Sequence, residues 1–285
     1  MTAITARTFT TRDGIVLAAD AGGRDDAPTV ILLHGGGQTR HSWAGELDRL
    51  VARGYRGISY DARGHGESGW SPDGDYSIGA LAADLETVLA ECRRPLALVG
   101  ASMGGITSLY AIGNASRDLA DALILVDIVP RPARAGADRI RKFMTGNPQG
   151  FATLDEAIDA VAAYNPERPR PRNPEGLMRN LRLRDDGRLY WHWDPRLLGM
   201  RETAEPPMIN DAMRVAGNIR VPTLLVRGGR SDVVDDAGVA EMKTIIPQTE
   251  VFDVPAAGHM VAGDDNSAFH SGITGFLERH LPLGL

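Results

Sequence analysis

Lysine is nearly missing from this chain: among 31 basic residues only Lys142 and Lys243 are lysines, and the rest are arginines. That bias carries no functional signal alone, and 37 acids bring the net charge to −6. A mildly acidic chain lacks the basic footprint that nucleic-acid binding needs, so no nucleic-acid partner is expected. Cysteine is almost as scarce. A lone Cys92 excludes an internal disulfide, and without a C-x-x-C or Cys/His cluster no zinc site is spelled out. Met1 to Gly14 has no apolar stretch behind a basic start, so no secretory leader is expected and a cytoplasmic location is. Only Pro95–Ser116 is long and uncharged enough to suggest a membrane span. Its glycines and hydroxyl residues, behind the β-like run Leu96–Val99, fit a buried strand entering a buried helix instead.

With 285 residues, 43% of them hydrophobic, the chain is long enough for one large globular core. Short runs that are apolar at every position predict strands covered on both faces: Thr29–Leu33, Tyr55–Tyr60, Leu96–Val99, Ala122–Val126, Pro222–Val226 and Glu250–Val254. Thr8–Thr11 and Ile15–Ala19, around Asp13-Gly14, predict an opening hairpin. Helical patterns alternate with the strands at Trp43–Ala52, Ile78–Ala90, Met103–Ile112, Ala237–Ile246 and Phe269–His280. Such alternation means an α/β fold with a parallel sheet. It breaks between Val129 and about Asn218, where helices are predicted at Ala137–Met144, Leu154–Tyr164 (capped by Thr153), Glu175–Arg182 and Pro207–Ala216. Residues 1–129 and 218–285 therefore read as the core, and 130–217 as an inserted helical cap.

Gly100-Ala101-Ser102-Met103-Gly104 has the G-x-S-x-G pattern between a predicted strand and a predicted helix, the setting of a nucleophile elbow. His34-Gly35-Gly36-Gly37 follows another strand, and its side-chain-free backbone can turn amides toward a developing oxyanion. Gly36 is the first choice of donor there and Gly37 the second, together with the amide of Met103; a phosphate loop would need a following Gly-Lys-Ser/Thr, which is lacking. A base and an acid should follow the serine along the chain. His259, in Gly258-His259 after the strand Glu250–Val254, is the expected base. Asp232, just past Pro222–Val226, is the preferred acid; Asp127, at the end of Ala122–Val126, is the alternative. All lie at carboxyl ends of strands, where open α/β sheets carry their sites. His34 and His65 sit in glycine loops as expected structural hydrogen-bonders, and His41, His192 and His270 have no such context.

Together with Asp61-Ala62-Arg63-Gly64-His65-Gly66-Glu67-Ser68, these pieces give a resemblance spanning nearly the whole chain outside the insertion. The chain resembles the α/β-hydrolase superfamily, in the branch of cofactor-free haloperoxidases, carbon–carbon-bond hydrolases and epoxide hydrolases. The resemblance implies an eight-stranded, mostly parallel sheet, a Ser-His-Asp triad and a variable cap over the pocket. Epoxide hydrolases and haloalkane dehalogenases carry an aspartate at the elbow; an alkylated Ser102 would be a stable ether, so that chemistry is not expected. Met260 stands where carbon–carbon hydrolases often carry an aromatic residue. The expectation is a serine hydrolase of a small or medium, largely apolar ester or lactone, needing no metal or organic cofactor and working as monomer or homodimer without membrane attachment. Trp43, Met144, Trp191 and Trp193, with Met103, are candidate pocket residues. Perhydrolysis, carbon–carbon cleavage on the same triad, and a slow-turnover receptor are the alternatives.

Overall fold

The computed structural model describes residues 3–166, 175–198, 207–255, 257–259 and 267–284. The chain opens with a hairpin, β1 (Thr5–Thr10) and β2 (Val16–Gly22), then β3 (Thr29–Leu33), a 3-10 turn at Arg40–Trp43, α1 (Ala44–Arg53) and β4 (Arg56–Tyr60). There follow α2 (Ile78–Leu89), β5 (Leu96–Ala101), α3 (Met103–Asn114) and β6 (Ala122–Val126). Then come α4 (Arg134–Thr145), α5 (Leu154–Tyr164), α6 (Glu175–Met178), β7 (Leu181–Leu183), β8 (Leu189–Trp191) and α7 (Pro207–Ala216). The described chain closes with β9 (Thr223–Gly228), α8 (Asp236–Ile245), β10 (Thr249–Val254) and α9 (Ser267–His280).

Eight strands form one sheet in the order β1-β2-β4-β3-β5-β6-β9-β10. β2 pairs antiparallel with both neighbours, and every other pairing is parallel. The all-apolar strand sequences follow from this layout, because successive side chains point to opposite faces and both faces are covered. Ile31, Leu33, Leu96, Leu98, Leu123 and Leu125 enter one core with residues of α2, α3, α7 and α8. Val30, Leu32, Ala97, Val99, Ala122 and Ile124 enter the other, beneath α1 and α9. Among the described residues no helix is long and apolar enough to cross a membrane, and Pro95–Ser116 is β5 running into α3.

The segment 130–217 departs from expectation in two places. The helix expected over Glu175–Arg182 stops at Met178; Leu181–Leu183 pairs instead with Leu189–Trp191, in register Leu181↔Trp191. Burial of Leu181 against Trp191, Trp193 and Phe151 overrides the local helical preference. The helix α7, expected inside the cap, packs on the sheet side. Ile209, Ala212, Val215 and Ala216 share a core with α2 and α3, and Asn218 Nδ2 donates to the Gly113 carbonyl of α3 (2.9 Å). α7 thus packs with α2 and α3 against the eight-stranded sheet.

Gly113 shows how close that packing is: a Cβ there would overlap the backbone carbonyl oxygen of Val215. Replacing Gly113 by Ala is therefore expected to destabilise the protein by about 1–3 kcal/mol through overpacking. Gly275, in α9, has only the far end of Arg279 near its Cβ position, at 3.8 Å. Gly275→Ala is expected to stabilise by about 0.5–1 kcal/mol, because alanine loses less backbone entropy in a helix. Urea unfolding of both variants checks the opposite signs.

Candidate active site

Three strand ends converge at the carboxyl edge of the sheet. Ser102 stands between β5 and α3 with φ 44°, ψ −113°, a region that L side chains rarely adopt. The chain holds it there because its neighbours lack side chains. A Cβ on Gly100 would come within 2.5 Å of the Gly104 carbonyl, and one on Gly104 within 2.5 Å of the Leu33 carbonyl oxygen. α3 then starts at Met103, with its first bond running from Ile106 N–H to the Ser102 carbonyl (3.0 Å). The start of α3 thus directs its positive end at the serine.

Asp127, directly after β6, is fully buried and also has positive φ, 47°. Its backbone N–H donates to Val226 O of β9 at 2.8 Å. Its Oδ1 accepts the Gly228 N–H (2.9 Å), and its Oδ2 accepts the Ser231 hydroxyl (2.5 Å) and His259 Nδ1–H (2.8 Å). The loop carrying His259 is tied to the end of β9 by Gly229 N–H to Val254 O and Arg230 N–H to Ala257 O, both 2.9 Å. Asp232, preferred on sequence, is not the partner of His259. It pairs with Arg139 Nη2 of α4 at 2.7 Å, and its side chain is 38% exposed. Both acids follow the serine along the chain and both end strands, so chain order does not separate them. The sheet does: β6 lies beside β5, and the turn after β9 spends Ser231 on holding Asp127 rather than presenting Asp232.

The glycine loop runs against the serine, where a Cβ on Gly35 would lie 3.4 Å from Ser102 Cβ. Two of its amides are already engaged: Gly35 N–H donates to Gln38 Oε1 (2.9 Å) and Gly37 N–H to His65 Nε2 (3.2 Å). Gly37 is therefore not a free oxyanion donor. Among the described residues the Gly36 amide has no acceptor, and Met103, as the first residue of α3, has no acceptor within the helix.

Of the expected pocket residues, two lie over this loop. A Cβ on Gly36 would meet Met144 Sδ at 3.7 Å, and one on Gly37 would meet the Trp193 ring at 3.2 Å. Trp191 stacks on Trp193 (centroids 5.0 Å, planes 11° apart) and packs among Phe143 and Phe151 of the insertion. Trp43 does not line the site. It is 1% exposed and stacks on Phe269 under α1 and α9, a core position. Met260 lies outside the described residues. Cys92 is no competing nucleophile, since burial pushes its thiol up to about 11. Among the described residues no group of three or more His, Cys, Asp or Glu side chains could hold a metal ion.

Sequence reasoning gave His192 no role, and it carries no local signal, lying between two tryptophans. In the fold it joins His34 and His65 in a row of buried rings with centroids 5.1 and 5.8 Å apart. Each ring accepts one backbone N–H and donates to one backbone carbonyl. His34 takes Ala62 N–H (3.0 Å) and gives to Gly35 O (2.8 Å). His65 takes Gly37 N–H (3.2 Å) and gives to Arg63 O (3.2 Å). His192 takes Gly66 N–H (2.7 Å) and gives to Gly37 O (3.3 Å). Only neutral imidazole can do both. Burial is the main cause that lowers all three; His192 is pushed down to about 4, with His34 and Arg182 adding to it and Gly37 O and Asp61 opposing.

A family model described as alpha/beta hydrolase fold matches residues 28–265. Esterase Rv0045c of Mycobacterium tuberculosis is 30% identical over 273 residues, 93% of this chain and 87% of that protein. A sn-1-specific diacylglycerol lipase, ABHD11 of Mus musculus, is 28% identical over 263 residues, 88% of this chain and 81% of that protein. A solved structure of the mycobacterial esterase aligns with TM-score 0.77 at 27% identity, covering 98% of this chain and 92% of that chain. The crystal structure of E-2-(acetamidomethylene)succinate hydrolase aligns with TM-score 0.83 at 22% identity, over 97% of this chain and 100% of that chain, which bears on the fold alone.

The buried imidazoles set an expected pH dependence of stability. An unfolded histidine takes up its proton near pH 6.5 and folded His192 only near 4. The stabilisation is thus complete above about pH 6.5 and declines as the pH falls toward 4, by about 1.4 kcal/mol per unit and about 3 kcal/mol in all for this one ring. Thermal melts between pH 7 and 4 should show His192→Gln losing less stability across that window than the wild type.

Proposed function

The chain belongs to the α/β-hydrolase family, and on that premise we propose that it is a serine esterase. Its substrate would be a small or medium, largely apolar carboxylic ester or lactone. The observation that carries this reading is the Asp127–His259 pair at 2.8 Å, set on strand ends beside the strained Ser102. With Nδ1–H given to Asp127, the His259 ring keeps Nε2 unprotonated to accept the Ser102 proton. Ser102 Oγ attacks the ester carbonyl carbon, and the carbonyl oxygen takes the negative charge against the amides of Gly36 and Met103. The imidazolium, stabilised by Asp127, gives its proton to the leaving alkoxide. Water, deprotonated by the same ring, then releases the acid from the acyl-enzyme. Met144 and the paired Trp193 and Trp191 give the roof of the glycine loop an apolar character, which supports an alkyl or aryl group at the acyl carbon. The names of the relatives, an esterase and a lipase, support ester chemistry.

The test is a p-nitrophenyl ester series from acetate to decanoate with a few lactones. Ser102→Ala should abolish turnover. Asp127→Asn should lower kcat/KM on the order of 10³–10⁴-fold, because His259 loses both its tautomer and its counter-charge. Asp232→Asn, which removes a half-exposed pairing with Arg139, should stay within about threefold of the wild type. A larger loss for Asp232→Asn than for Asp127→Asn would overturn the assignment of the acid.

A further inference from the structure

The oxyanion loop is three glycines in a row, a backbone with more freedom than any other, yet catalysis needs one of its amides fixed to within tenths of an ångström. Gly35 O accepts Gln38 N–H at 3.1 Å across a turn in which Gly37 has φ 73°. Each successive peptide plane is pinned by one imidazole. His34 holds the Gly35 carbonyl, and in a planar trans peptide this aims the Gly36 N–H the opposite way. His65 holds the next plane through Gly37 N–H, and His192 the third through Gly37 O. That third plane carries the Gln38 N–H that closes the turn onto Gly35 O, so the restraint at His192 returns to the plane bearing the Gly36 N–H.

His34 and His65 belong to the sheet-bearing unit, whereas His192 follows β8 of the insertion. The segment around it is fastened to the chain between Asp61 and Tyr76. Asp194 N–H donates to Gly64 O (2.9 Å), Tyr76 hydroxyl to Asp194 Oδ2 (2.5 Å), Arg196 Nη2 to Ser71 O (2.7 Å) and Arg182 to Gly66 O. We propose that His192 is a positioning residue for the Gly36 oxyanion donor, so that the insertion builds part of the catalytic site as well as roofing it. The proposal rests on the serine-esterase reading above.

Two isosteric replacements separate the two bonds of the ring. His192→Asn keeps an acceptor for Gly66 N–H in the Nδ1 position and loses the donor to Gly37 O. His192→Gln keeps a donor in the Nε2 position. The assay reads kcat and KM on p-nitrophenyl butyrate, and inhibition by a trifluoromethyl alkyl ketone, whose hemiketal oxyanion occupies the same amides. His192→Asn is expected to lose about 10- to 100-fold in kcat with KM within about threefold, and the ketone should weaken in parallel. His192→Gln is expected to recover most of that loss. Wild-type kcat in His192→Asn, or a change confined to KM with ketone affinity intact, overturns the proposal. So does a wild-type 15N NMR spectrum that places the His192 proton on Nδ1, a measurement that needs no variant to fold. Ser102→Ala runs alongside: if it keeps wild-type turnover, the esterase reading fails and this inference with it. If it is inactive while His192→Asn is not impaired, only this inference fails.

Discussion

A carboxylate with no solvent contact is tolerated in a protein only when its charge is met by donors, and Asp127 draws its donors from three places in the chain. The Gly228 N–H comes from the end of β9, the Ser231 hydroxyl from the turn after it, and His259 from the loop after β10. Isolated, such a charge would cost several kcal/mol or would take up a proton. The arrangement therefore constrains the fold as much as the chemistry, since β6, β9 and β10 must end level with one another for all three donors to reach. Parallel pairing from β3 through to β10 keeps those ends in line. Ser102 and the glycine loop, one and two strands further along, then fall on the same edge.

How much of this was legible in the sequence depends on the range of the interaction. β3 and β6 read directly from the sequence because a strand covered on both faces must be apolar at every position, and α5 read directly because Thr153 caps it. The proposed nucleophile, base and oxyanion donors, Ser102, His259, Gly36 and Met103, were nameable because each lies in a local pattern, a glycine-bounded turn or a strand end. The proposed acid was not, because Asp127 and Asp232 carry the same local marks and differ only in what lies across the sheet. Trp43 is a candidate pocket residue by sequence, but the 3-10 turn at Arg40–Trp43 carries its ring into the core and onto Phe269. β7 and β8 were hidden for the same reason: their pairing depends on an aromatic cluster assembled from residues as distant as Phe143, Phe151 and Trp191. In each failure a long-range contact decided between options that local propensity left level.

The three imidazoles illustrate why a scaffold of this kind uses histidine. A neutral ring is flat, rigid and polar at both ends, with a donor on one side and an acceptor on the other, so it can bridge two backbones without adding charge. An asparagine would be too short to span both loops, and an arginine could donate but never accept. Rings 5.1 and 5.8 Å apart, buried from water, also penalise protonation of one another. The scaffold thus remains uncharged where its bonds are needed, and the charge that moves during the proposed reaction is confined to the oxyanion and His259, beside the fixed carboxylate of Asp127.

That separation bears on what the insertion can vary. Met144, Trp191 and Trp193 form an apolar roof, and in the proposed reaction a change at Met144 would alter which acyl group fits while leaving the donors of the glycine loop where they are. His192 lies one residue from each tryptophan and its bonds run the other way, into Gly37 and Gly66. Trp193 meets the His192 ring edge-on at 5.4 Å, so a smaller residue at 193 would leave that ring without its wall. In the proposed reaction, substrate choice and oxyanion geometry would thereby be coupled within three consecutive residues. An insertion redesigned for a larger substrate would have to keep the His192 ring pinned while its two neighbours change.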